Sequence, residues 1–156
     1  MSKVASRGFT LIELLIALAL VAILAVLAVP SFRGFIANQQ VKTASYDLLV
    51  ALNYARGEAI NRNKTVTVQA VGGAWSGGWQ VTATINGKAV VLKEWDAQST
   101  ISFSNAPVSF AFLANGRISG GVGASVSVCK REATQRIVVV DMSGHVSLKR
   151  SGACSE

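Results

Sequence analysis

Residues 9–29 form an unbroken run of 21 with one charged side chain, Glu13, and neither glycine nor proline. A helix rises about 1.5 Å per residue, so this run spans roughly 30 Å, the hydrocarbon thickness of a bilayer. Leu and Ala, both strong helix formers, dominate it. Lys3 and Arg7 precede it in a short basic leader. A cleaved secretory signal is one reading of such a start. Two features speak against it: the run is longer than a signal core, and Ala28-Val29-Pro30 is a poor cleavage site because a helical pattern resumes beyond it. A plain anchor would explain the length but not Glu13.

A carboxylate inside a membrane costs a few kcal/mol, so it needs a partner. Arg7 is six residues away, too far for helical pairing at three or four. A cut after Gly8 would supply a partner, because it creates a positive α-amino group on Phe9. Glu13 would then pair with the amine of its own chain or of a neighbour. Pairing with a neighbour would set the register of identical helices packed side by side.

The segment Arg7-Gly8-Phe9-Thr10-Leu11-Ile12-Glu13 resembles the processing site of type IV prepilins and type II secretion pseudopilins: basic leader, Gly, Phe-Thr-Leu-Ile-Glu, apolar helix. The resemblance implies cleavage between Gly8 and Phe9 by prepilin peptidase and N-methylation of Phe9. It also makes Glu13 the residue that guides docking among subunits. The organisation it implies is a leader at residues 1–8, a membrane-spanning and assembly helix at 9–30, and a periplasmic pilin-like domain at 31–156. The chain would cross the bacterial inner membrane once and later join a pilus or pseudopilus.

Beyond Pro30, apolar or small residues fall at Val41, Ala44, Leu48, Ala51, Leu52, Ala55, Ala59 and Ile60. Steps of three and four predict one buried face of a helix that continues to about residue 62. Residues 30–34, with a proline and a glycine, are the expected weak point. Alternation and turn residues then predict strands at 65–70, 78–85, 89–93, 100–104, 108–113, 125–128, 136–140 and 145–149, with Asn86-Gly87 as a hairpin turn. A long N-terminal helix packed on an antiparallel β-sheet is an α+β, pilin-like roll.

The helix end Leu52–Asn63 and the pair in Trp75-Ser76-Gly77-Gly78-Trp79 resemble GspH/FimT-like proteins, minor pilins of the FimU type. So do the units Phe110–Arg117 and Arg136–His145. Core packing is the plainer role for Trp75 and Trp79, since aromatic side chains bury large areas. Cys129 and Cys154 lie beyond the membrane run, on the side opposite the basic leader, where oxidising conditions favour a disulfide. A loop of that size is worth about 3–4 kcal/mol in the chain-entropy model. Two thiols and one histidine, His145 at a turn, make a poor metal set. No nucleophile elbow, phosphate-binding loop or zinc-protease motif is present, and neither an enzyme nor a cofactor is expected.

Two functions of different class follow: a minor pilin or pseudopilin, near a filament's tip or at its initiation, and a DNA-binding pilin for natural transformation. The expected partners are other pilins, prepilin peptidase and the inner membrane. The net charge is +7. Some FimT-like relatives bind DNA through Gly-Arg-x-Arg. Here Gly144-His145-Val146-Ser147 stands at that place, without either arginine. That absence favours the structural reading, although Lys130, Arg131, Arg136, Lys149 and Arg150 remain the residues for an electrostatic patch toward DNA.

Overall fold

The computed structural model describes residues 9–154, with the side chains of residues 27–31 excepted. A single helix of 52 residues, α1 (Leu11–Arg62), is followed by eight strands. At 1.5 Å per residue α1 is about 80 Å long, several times the mean helix length of globular proteins. It runs without a break through Pro30 and Gly34, so the weak point expected at 30–34 leaves the helical assignment intact.

The second half of α1 is the spine of the core. Ala37, Val41, Ala44, Leu48, Ala51, Leu52, Ala55 and Ala59 are buried. Four of the last six are alanines, and their small side chains bring strand backbones close to the helix. Ser45 lies on the same face and satisfies its hydroxyl by donating to Val41 O at 2.5 Å, a local bond that buried helical serines often make. Ile60, expected on the stripe, is instead 49% exposed. It sits one position past Ala59, where the 100° step per residue turns it toward the rim. The helix stops at Asn63, whose φ of 50° places it in the left-handed region. Its N–H donates back to Ala59 O and Ile60 O, a C-terminal cap that asparagine tolerates better than most residues.

The strands are β1 (Val66–Ala70), β2 (Trp79–Ile85), β3 (Lys88–Trp95), β4 (Ser102–Ser104), β5 (Ser109–Phe112), β6 (Ala124–Cys129), β7 (Thr134–Val140) and β8 (Val146–Ala153). All pairings are antiparallel. The α+β arrangement is the expected one, but the strands divide into two four-stranded sheets, ordered β3-β2-β1-β5 and β4-β6-β7-β8. The division arises because β5 returns to pair with β1, while β4 pairs with β6. Neither choice is written in the alternation of a single strand. Asn86 and Gly87 have φ of 51° and 76°, as the two-residue hairpin turn requires.

Two strands outrun their expected ends. β3 continues to Trp95, which pairs with Trp79, and its Lys93 Nζ lies 4.8 Å from the Trp95 ring centroid. β8 continues to Ala153, which pairs with Thr134. Trp75 and Trp79 belong to the core, 6% and 0% exposed. Trp75 packs edge-on against Phe110 at 5.8 Å and Trp79 against Phe103 at 5.6 Å, geometries that suit the aromatic quadrupole. Trp75 Nε1 donates to Pro107 O at 2.9 Å.

Candidate functional site

The first half of α1 carries the chemistry that the sequence singles out. Every large apolar side chain described there, from Phe9 to Val26, is more than half exposed. The domain begins to bury the helix only at Ala37. Twelve exposed large apolar side chains in one helical segment far exceed the patches that soluble monomers tolerate, so something outside this chain must cover them. Among the described residues no helix is long and apolar enough to cross a membrane; side chains beyond Val26 are not described until Phe32.

Glu13 sits at the head of this segment. Thr10 is the N-cap of α1, and its hydroxyl accepts from Glu13 N at 3.3 Å. The Glu13 carboxylate accepts in return from Thr10 N and from Thr10 Oγ1, both at 3.0 Å. This is a capping box, which satisfies backbone donors that a helix start leaves orphaned. The Thr-x-x-Glu spacing was readable in the sequence, where the apolar run drew attention to Glu13 alone. Phe9 immediately precedes Thr10, whose amide Glu13 holds. Gly8 and the leader lie outside the described residues.

Cys129 and Cys154 are joined, with an S–S distance of 2.10 Å and Cα atoms 5.7 Å apart. Cys154 N also donates to Ala133 O at 3.0 Å, so the disulfide ties the end of β8 to the β6–β7 turn. Reduction of the folded chain is expected to lower its stability by about 3 kcal/mol, read as a shift of the urea midpoint. Unchanged unfolding with and without reductant would show that the cross-link contributes nothing.

The five basic candidates are not on one surface. Arg136 pairs with Arg150 across β7 and β8, on the same face as the core pairs Val138–Leu148 and Val140–Val146. Lys149 is opposite Ile137 and, by strand alternation, points to the other face. Lys130 and Arg131 lie in the β6–β7 turn, where Lys130 Nζ donates to Gln40 Oε1 at 2.7 Å.

At the place of the Gly-Arg-x-Arg motif the chain makes a tight turn. The Asp141 carboxylate accepts from Ser143 Oγ at 2.6 Å, Ser143 N at 2.8 Å and His145 N at 3.0 Å. The Ser143 hydroxyl, helped by the His145 amide, holds the Asp141 carboxyl below its ordinary value of 3.8. A depressed carboxylate stabilises the fold fully above its unfolded pKa, and that contribution is lost as pH falls through the lower folded value. Amide exchange at Ser143 and His145 is therefore expected to stay slow near neutrality and to quicken once the pH drops below 3.8, after correction for the intrinsic pH dependence. His145 itself is exposed, as a turn residue should be.

A family model described as prokaryotic N-terminal methylation motif matches residues 4–29, and one described as type II transport protein GspH matches residues 44–144. Fimbrial protein EcpC of Eikenella corrodens is 33% identical over 90 residues, which cover 58% of this chain and 54% of that one. A fimbrial protein of Pseudomonas aeruginosa is 39% identical over 66 residues, 42% of each chain. The chain thus matches about half the length of the first relative. The crystal structure of the type IV minor pilin FimU of Pseudomonas aeruginosa superposes with a TM-score of 0.64 at 22% identity, covering 78% of this chain and 99% of that one. The minor pseudopilin EpsH from the type 2 secretion system of Vibrio cholerae gives 0.56 at 12% identity, covering 71% and 97%. At these identities the likeness to the solved structures is one of fold, and that fold is the pilin fold. Because the GspH model extends over well over half of its residues, the chain belongs to the GspH family of type IV pilin-like proteins.

Proposed function

We propose that this chain is a minor pilin or pseudopilin, a structural subunit that is cut between Gly8 and Phe9, methylated on Phe9, and assembled through the first half of α1. The observation that carries this reading is the bare apolar half-helix standing out from a folded domain, with Glu13 at its head. Before assembly a bilayer covers residues 9–30, with the domain from residue 31 on the periplasmic side. In the filament, the equivalent helices of other pilins take the place of lipid. Initiation or the tip is the position we favour for such a subunit. The DNA-binding alternative loses Lys149, which stands on the opposite face of β8 from Arg150, and the chain lacks both arginines of the Gly-Arg-x-Arg motif.

Processing provides the direct test. Mass spectrometry of the chain from membranes and from sheared filaments is expected to find N-methyl-Phe9 as the first residue. An N-terminus at Met1 in filaments, or one near Ser31, would overturn the proposal.

A further inference from the structure

The β6–β7 turn makes the lowest contacts between the domain and α1. Glu132 O lies 3.6 Å from where a Cβ on Gly34 would stand. Lys130 holds Gln40, and Thr134 N donates to Asn38 Oδ1 at 2.9 Å. Two neighbouring clefts open there. Arg33, Gln40, Lys130, Arg131 and Glu132 line one of about 340 Å³; Asn38, Thr134, Arg136 and Arg150 line the other, of about 200 Å³. Five cations thus collar the helix, and Glu132 is the one carboxylate among the described residues lining either cleft.

The height of this collar follows from the helix. Arg33 is four residues past Val29, about 6 Å along the axis, and the headgroup layer on each side of a bilayer is about 5–7 Å thick. Gln40, which anchors Lys130, is about 16 Å past Val29, so Lys130 stands about 10 Å beyond that layer, close to one Debye length of about 8 Å, and the other long side chains of the turn can extend toward it. Phe32, Phe35 and Ile36 are more than half exposed just beneath, and apolar groups flanked by cations suit the boundary between acyl chains and headgroups. Four of the five cations come from residues 130–150 and reach the helix only once the domain has folded. They therefore escape the bias against positive charge flanking the exported end of a membrane segment, which acts over about 15–20 residues during insertion.

We infer that Arg33, Lys130, Arg131, Arg136 and Arg150 form a collar that binds the anionic phospholipid headgroups of the membrane carrying α1, and so seats the domain on the bilayer before assembly. This rests on the reading that residues 9–29 lie in a bilayer. The test uses the full chain reconstituted into vesicles of phosphatidylcholine alone or mixed with phosphatidylglycerol. Flotation first establishes insertion. Amine acylation is then followed at Lys130 by mass spectrometry, with the exposed Lys88 of the β2–β3 hairpin as reference. Phosphatidylglycerol is expected to slow Lys130 about threefold relative to Lys88, with the protection lost at high salt and reduced in Arg131→Glu. Equal Lys130 rates in the two vesicles, with the chain floating in both, would overturn the collar and leave the membrane reading standing. Failure to float with either would overturn the membrane reading and the collar with it. Protection by duplex DNA on phosphatidylcholine vesicles, equal to that by phosphatidylglycerol, would reassign the surface to nucleic acid.

Discussion

Subunits carrying Glu13→Gln are expected to insert and to be processed normally, yet to enter sheared filaments about tenfold less than the natural subunit, as loss of one charge-assisted contact of about 1.4 kcal/mol implies. Insertion should if anything improve, because a charge leaves the membrane. The capping box makes this substitution informative. Glutamine at the third helical position still accepts from the N-cap backbone, so the bonds to Thr10 survive in form. What glutamine cannot do is neutralise a Phe9 amine. Glu13→Leu removes the cap and the charge together, and should be worse. The measurement is the ratio of subunit in sheared filaments to subunit in membranes, with the mature mass checked in both. A normal ratio for Gln with a defect for Leu would assign Glu13 to capping α1 rather than to docking. Normal ratios for both would remove it from assembly altogether and leave recognition by the peptidase or methylase as its role.

Gly144→Ala is expected to destabilise the domain by about 4 kcal/mol, more than any other single change considered, by combining backbone strain with overpacking. Gly144 has a φ of +79°, and a Cβ there would stand 2.0 Å from Gly116 O. That oxygen is already engaged, since Arg56 Nε donates to it at 3.0 Å. Arg56 Nη2 also donates to Ser143 O at 3.5 Å. The two turns and the end of α1 are thus clamped at one point, and a methyl group in the middle has to displace backbone. Gly87→Ala is the control. Its φ is +76°, but nothing lies within 4 Å of its Cβ position, so it should cost about 1 kcal/mol from conformation alone. Urea unfolding of both variants in detergent decides the matter. Equal losses would mean that the close approach to Gly116 carries no stability of its own. The result also bears on the Gly-Arg-x-Arg comparison, because a glycine required by packing at this place needs no ligand to explain it.

Local pattern was enough for the long helix, for its two different halves and for most strands. The apolar run is bare in the fold over its described side chains, Phe9 to Val26. The stripe from Val41 to Ala59 is buried, because a 3.6-residue period maps straight onto one face. Asn86-Gly87 declared its hairpin because few residue pairs accept positive φ twice in succession. The GspH resemblance rested on the order of such local units, and its match over residues 44–144 shows that this order was specific. The sharing of strands between two sheets depended instead on which strand meets β1 across more than forty residues of chain, and alternation carries no record of a partner. Ile60 left the stripe for a local reason, the 100° step past Ala59, and only the folded state shows that its side chain still reaches Gly116. The basic residues show the contrast most sharply. In the sequence Lys130, Arg131, Arg136, Lys149 and Arg150 read as one loose group. Pairing of β7 with β8 turned Lys149 away, and packing of the β6–β7 turn on α1 brought Arg33 in. A charge declares its sign in the sequence; its neighbours are set by strand register and by the alanine face that lets the sheets settle against the helix.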